Sequence, residues 1–230
     1  MELTEYTVET PEAFVADATA FIADIVREAI ANDGRCILGL SGGSTPGPVY
    51  EALGREPGID WSKVWIFLVD DRCVPADHPK SNQFLLRSTI LKHAPIPESQ
   101  IVVPDVTLAP DETARKYGEE IASMTRVGKP ALVVLGLGED GHIASLFPPV
   151  SEAAFSMTGA IHTTTTAFDI HDRISVTLPV LTSSKQALFL LKGEKKIGVW
   201  EEMVEGVEGV KRWPGKAVVE GVETTVMVLK

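Results

Sequence analysis

Residues Ala131 to Pro148, ALVVLGLGEDGHIASLFP, decide the fold of this chain. The apolar run Ala131 to Leu135 reads as a strand buried on both faces, as in a parallel sheet covered by helices. It leads directly into Gly136, Gly138, Glu139, Asp140, Gly141 and His142. Glycines so closely spaced permit tight or left-handed backbone, so two carboxylates and an imidazole are displayed in one short loop. In an open parallel sheet, ligands sit outside the carboxyl ends of the strands, where this loop falls.

The same grammar recurs on either side. The apolar stretch Cys36 to Leu40 ends in Ser41-Gly42-Gly43-Ser44-Thr45-Pro46, with Thr45 predicted to cap and Pro46 to open a helix over Pro48 to Leu53. A glycine-rich turn from strand to helix offers backbone N–H groups that suit a phosphate, and Ser44 and Thr45 add hydroxyls. An ordinary tight turn before a capped helix has the same spelling, and the run is neither G-x-G-x-x-G nor G-x-x-x-x-G-K-[ST]. Val64 to Val69 ends in Asp70-Asp71-Arg72, and Ala187 to Leu191 ends in Lys192-Gly193-Glu194-Lys195-Lys196 before a helix to about Val204. Ile174 to Leu178 is a further predicted strand, preceded by His171-Asp172-Arg173.

The remaining elements fill the gaps. A strand is predicted over Leu3 to Val8, and Thr10-Pro11 starts a helix whose apolar positions Val15, Ala18, Ile22, Ile25, Val26 and Ala29 share one face until Gly34. Ser81-Asn82 caps a helix over Phe84 to Leu91, Asp111 caps one to about Arg126 that Gly128 closes, and Ile101 to Val103 and Thr224 to Leu229 are strands. Pro149 to Asp172 reads as irregular, and no site is assigned to the C-terminal segment. Strands alternate with helices and no linker interrupts them. The expected fold over residues 1–230 is therefore one α/β domain, doubly wound, with a largely parallel sheet and helices on both faces.

Composition narrows the function. A formal net charge of -11 and a pI near 4.9 argue against nucleic-acid binding, so any anionic ligand must meet a local cationic pocket. No apolar run approaches the roughly 20 residues of a membrane span, and the acidic MELTEYTVETPE lacks signal-peptide character, which predicts a cytoplasmic protein. Cys36 and Cys73 form no C-x-x-C pair, and no histidine, cysteine or acidic grouping has metal-ligand spacing, so neither a disulfide scaffold nor a metal is expected.

If the strands are parallel, the loops at 41–45, 70–72, 136–142 and 192–196 gather along one edge. A phosphate-shaped turn, an acid-and-imidazole loop and two cationic loops then share a crevice, which fits proton transfer on a phosphorylated small molecule. His142 is the candidate general base, because an imidazole accepts a proton near neutral pH. Asp140 or Glu139 could orient it, or either could cap a following helix. Arg72, Arg173 and Lys195 are the candidate phosphate cations. Lys192 and Lys196 read as solvated surface charges.

In order and spacing, SGGSTP, DDRCVP followed by SN, GLGEDGHIASLFP, RISVTLPVL and LLKGEKK resemble the motifs of the 6-phosphogluconolactonase family, from about residue 36 to residue 196. The resemblance implies hydrolysis of 6-phospho-D-glucono-1,5-lactone to 6-phosphogluconate without metal or organic cofactor. It implies that Gly42, Gly43, Ser44, Thr45, Arg72, Arg173 and Lys195 bind the sugar phosphate and that His142 activates water. The partner is then a sugar-phosphate lactone, acted on by a monomer or weak homo-oligomer. The family has Asp-Glu-Arg where this chain has Asp70-Asp71-Arg72, so Asp71 joins the substrate set with its role open. An amino-sugar-6-phosphate isomerase-deaminase is the nearest alternative. Such enzymes carry Asn-Glu-Pro shortly after the histidine, whereas this chain has Ser145 to Pro148 there. A non-catalytic sugar-phosphate binder is a second alternative, which retention of His142 disfavours.

Overall fold

The structure, a computed structural model, describes residues 2–230. In chain order the elements are β1 (Leu3–Val8), α1 (Pro11–Asp33), β2 (Cys36–Leu40), α2 (Gly47–Leu53), β3 (Val64–Leu68), β4 (Asp70–Arg72), α3 (Asn82–Ser88), α4 (Ile90–His93) and β5 (Ile101–Val102). There follow α5 (Pro110–Thr125), β6 (Leu132–Leu135), β7 (Ala160–Thr164), β8 (Asp172–Val176), α6 (Leu178–Thr182), β9 (Gln186–Lys192), α7 (Glu194–Glu205), α8 (Pro214–Gly221) and β10 (Glu223–Leu229).

A seven-stranded sheet has the order β1-β10-β9-β6-β2-β3-β5, with every pairing parallel. From β2 the chain winds outward through β3 and β5, then returns to β6 on the other side. The carboxyl ends of β2 and β6 therefore flank the topological switch point, where open α/β sheets bind ligands. Both strands are buried throughout, and their side chains alternate between two cores. Ile37, Val133 and Leu135 pack with Tyr117, Trp200 and Val218 from α5, α7 and α8. Cys36, Leu38, Leu40, Leu132 and Val134 pack with Ile22, Val26 and Tyr50 from α1 and α2. Burial on both faces explains why these strands read as unbroken apolar runs.

The start and stop of α1 follow the expected grammar. The Thr10 hydroxyl accepts from the Ala13 amide at 3.2 Å, and Gly34 ends the helix in the left-handed region at φ 74°. Elsewhere the expectations need correction. Pro46 occupies the cap position of α2 with helical backbone, so Thr45 makes no capping bond. Asp111 lies inside α5 rather than at its cap, and its carboxylate reaches His162 at 3.1 Å. The helix expected over Phe84 to Leu91 breaks at Thr89, where the Ser88 and Thr89 hydroxyls bond back to the carbonyls of Phe84 and Leu85.

The largest correction concerns the second sheet, in which β8 pairs antiparallel with β4 on one side and β7 on the other. Asp70-Asp71-Arg72 is thus a short strand rather than a loop. At Val69 the chain leaves the parallel sheet, its amide still donating to the Leu40 carbonyl at 3.0 Å while its own carbonyl accepts from Val176 at 2.9 Å. Among the described residues, no helix is long and apolar enough to cross a membrane.

Candidate active site

A cavity of about 460 Å³ opens at the switch point. One wall is the turn after β2, Ser41 to Gly43, and another is the loop after β6. Asp70, Arg72 and Arg173 arrive from the antiparallel sheet, Asn82 from the start of α3 and Lys196 from the first turn of α7. Phe147 and Phe168 supply the apolar part of the lining.

The loop after β6 folds back on itself. The Gly138 amide donates to the His142 carbonyl at 2.8 Å, and Gly141 takes φ 90° to make the turn. Asp140 Oδ1 then meets both the His142 amide, at 3.2 Å, and the imidazole Nδ1, at 2.5 Å. Partial burial would raise the Asp140 carboxyl, but the bonds and charge of His142 outweigh it and hold the group below its ordinary range. No helix follows this loop; Ile143 and Leu146 close it with an isolated bridge. The capping alternative for Asp140 and Glu139 is therefore excluded. The imidazole sits against Phe147 with ring centres 4.8 Å apart and against the edge of Phe168 at 5.6 Å.

The register of the antiparallel sheet sets Arg72 directly opposite Arg173. Arg173 is buried, its Nε donates to the Ile170 carbonyl at 3.0 Å, and its guanidinium lies 5.6 Å from the Phe168 ring centre. Burial and the neighbouring Arg72 charge both lower its pKa. Arg72 donates through Nη1 to the Lys80 carbonyl at 2.6 Å, while its buried Nε has no partner. Among the described residues neither guanidinium forms an ion pair with a carboxylate.

Asp71 stands apart from the cavity. It is fully buried, and its carboxylate accepts from the amides of Arg72 and Asn82 at 2.7 Å, from the Gln83 amide at 3.3 Å and from the Ser81 hydroxyl at 3.2 Å. It thus anchors the start of α3 instead of lining the pocket. Its neighbour Asp70 does line it, accepting from the Ser145 hydroxyl at 2.6 Å and from Asn82 Nδ2 at 3.3 Å. The two lysines also exchange places relative to expectation. Lys195 is exposed and pairs with Glu139 at 3.5 Å, whereas Lys196 is half-buried in the lining, where desolvation lowers its pKa. Ser44 and Thr45 lie outside the lining, so of the turn only Ser41, Gly42 and Gly43 reach the cavity. Asp70, Asn82, Ser145, Phe147 and Phe168 are cavity residues to which the sequence reading gave no role.

Comparison with known proteins agrees with this architecture. The sequence profile of the glucosamine-6-phosphate isomerases/6-phosphogluconolactonase family matches residues 9–227. A probable 6-phosphogluconolactonase of Dictyostelium discoideum is 35% identical over 219 residues, covering 94% of this chain and 93% of that protein. The 6-phosphogluconolactonase of a Synechocystis species is 32% identical over 213 residues, covering 90% and 87%. The crystal structure of a 6-phosphogluconolactonase from Thermotoga maritima superimposes with a TM-score of 0.87 at 27% identity, covering 100% of both chains. By profile, sequence and fold, this chain belongs to the glucosamine-6-phosphate isomerase/6-phosphogluconolactonase family.

Proposed function

We propose that the chain hydrolyses 6-phospho-D-glucono-1,5-lactone to 6-phospho-D-gluconate, with His142 as general base and Arg72, Arg173 and Lys196 as the phosphate cradle. The observation that carries this reading is the Arg72–Arg173 pair, two like charges set opposite each other beside the Asp140–His142 pair. Like charges directly opposed across a sheet destabilise it. An anion between them removes that penalty, and a phosphate at this end leaves the rest of the sugar to reach His142. The backbone amides of the Ser41–Gly43 turn complete the cradle.

The chemistry follows from the hydrogen bonds. Asp140 accepts from Nδ1–H, which leaves the Nε2 lone pair of the neutral imidazole to take a proton from water. The hydroxide so formed attacks the lactone carbonyl carbon and gives a tetrahedral oxyanion. Its collapse breaks the bond to the ring oxygen, which leaves as a hydroxyl carrying the proton returned by His142. Throughout, the Asp140 carboxylate stabilises the imidazolium. Every group with an assigned role comes from one cavity of one chain, so the reading needs no second subunit, and we assign the reaction to the cytoplasm.

The test is the disappearance of freshly prepared lactone, corrected for spontaneous hydrolysis, with wild type beside His142→Ala. The expected result is acceleration by wild type and a loss of about 10²- to 10⁴-fold in the variant, the usual contribution of a general base. Absence of acceleration by wild type overturns the lactonase reading. Full activity in the variant overturns the assignment of the base.

A further inference from the structure

The segment between α7 and α8 carries no motif and lines none of the cavity. Its turn is nonetheless firmly built, with the amides of Arg212 and Trp213 both donating to the Gly209 carbonyl at 3.0 Å. It meets the active-site loop at two points. The Val150 amide donates to the Lys211 carbonyl at 2.8 Å, and Arg212 Nη1 donates to the Asp140 carbonyl at 2.9 Å. The guanidinium lies 3.5 Å from the ring centre of Trp213, which is fully buried. Gly141 admits this contact, since a Cβ there would stand 2.5 Å from Trp213 Cζ3 and 2.8 Å from Arg212 Nη1.

We propose that Arg212 is a positioning residue that holds the Asp140–His142 pair in register through the Asp140 backbone. The inference rests on the proposed roles of that pair. Asp140 is itself exposed, flanked by Gly138 and Gly141 within three residues, and no helix follows to anchor the loop. The internal bonds of the loop close it on itself. Leu137 and Ile143 are buried in the core and Glu139 pairs with Lys195, and at Asp140 itself the outward tie is the Arg212 bond. The planar group of Arg212 is fixed on the Trp213 face while one of its N–H groups is directed at the carbonyl of the residue whose carboxylate orients the imidazole. Stacking plus a directed donor is a combination that arginine provides and lysine provides only in part.

The experiment compares wild type, Arg212→Met, Arg212→Lys and His142→Ala by kcat and KM on the lactone, by thermal melting and by the His142 Nδ1–H proton resonance, which is assigned by its absence in His142→Ala. For Arg212→Met the expected outcome is a loss of about 10- to 100-fold in kcat, as for a displaced catalytic group, with KM within about threefold. The Nδ1–H resonance broadens or disappears, melting stays within about 2 °C of wild type, and Arg212→Lys regains part of kcat. Wild-type kcat and an unchanged resonance in Arg212→Met, with His142→Ala inactive, overturn the proposal. So does a fall in kcat and melting temperature together with a rise in KM in both Arg212 variants, which marks mere structural support. Full activity in His142→Ala refutes the catalytic reading instead, and the resonance then decides alone whether Arg212 holds the pair.

Discussion

Asp71 is an acid sealed from solvent, and its surroundings pull it in opposite directions. Burial pushes its carboxyl up from 3.8 to about 6, against the amide donors of Asn82, Arg72 and Gln83 that favour the anion. The folded chain therefore keeps this proton to higher pH than the unfolded chain does. Its contribution to stability is complete below about pH 4 and is lost as pH rises through about 6, a change of roughly 3 kcal/mol. Asp71→Asn cannot ionise, so the stability difference between wild type and variant is expected to shift by that amount against wild type from about pH 3.5 to pH 7. Urea midpoints across that range check it, and a constant difference refutes it. Which of two adjacent aspartates faces the cavity is not legible in Asp70-Asp71-Arg72 alone. It is set by the pleat of β4, which turns Asp70 and Arg72 to one side and Asp71 to the other. The exchange of Lys195 for Lys196 has a similar cause, because each helical residue is rotated about 100° from the last and the start of α7 fixes which lysine turns inward.

At the scale of elements, the site depends on a hairpin that the sequence conceals. β7 contributes His162, Thr163 and Thr164, polar residues that match no strand pattern, because its outer part is only half covered. The hairpin is held from outside instead. His162 bridges Asp111 of α5 and Asp172 of β8 at 3.1 and 2.8 Å, and Lys80 pairs with Asp169 in the connecting loop at 2.6 Å. α5 presses against the start of β7 at Gly118, where a Cβ would stand 2.1 Å from the Thr158 carbonyl oxygen and 3.0 Å from the Ala160 nitrogen. Helix propensity alone favours Gly118→Ala by about 1 kcal/mol. The collision is with backbone, which no rotamer relieves, so the expected net effect is destabilisation of about 1–3 kcal/mol, read by thermal melting. Displacement of β7 also moves Arg173 and Phe168 on β8 and its loop, so KM for the lactone is expected to rise. A stabilised variant with unchanged KM would show that this packing does not govern the site.

For the whole molecule, the sheet order and the burial of both its faces follow from features that the sequence displays openly, namely apolar strands followed by glycine-rich or charged ends. The antiparallel pairing of β4, β8 and β7 and the Arg212–Asp140 bond depend on contacts between distant segments, for which no local signal exists. Charge distribution is the remaining property at this scale. A chain of formal net charge -11 repels a dianionic ligand at long range, so the proposed function requires recognition by the local field of Arg72, Arg173 and Lys196, which line the cavity. Binding to that cavity is linked to folding of the whole chain, because the unfolded chain has no such cluster. At 6-phosphogluconate concentrations about 100 times its Kd, the folded state gains about 2.7 kcal/mol. For a chain of this length that corresponds to a rise of about 5–10 °C in melting temperature. Gluconate lacks the phosphate and is expected to leave the melt unchanged, and Arg173→Met is expected to lose most of the response to 6-phosphogluconate while still folding cooperatively. An equal shift with gluconate would mean that the hydroxyls and carboxylate carry recognition, and the cationic pair would then need another anion to account for it.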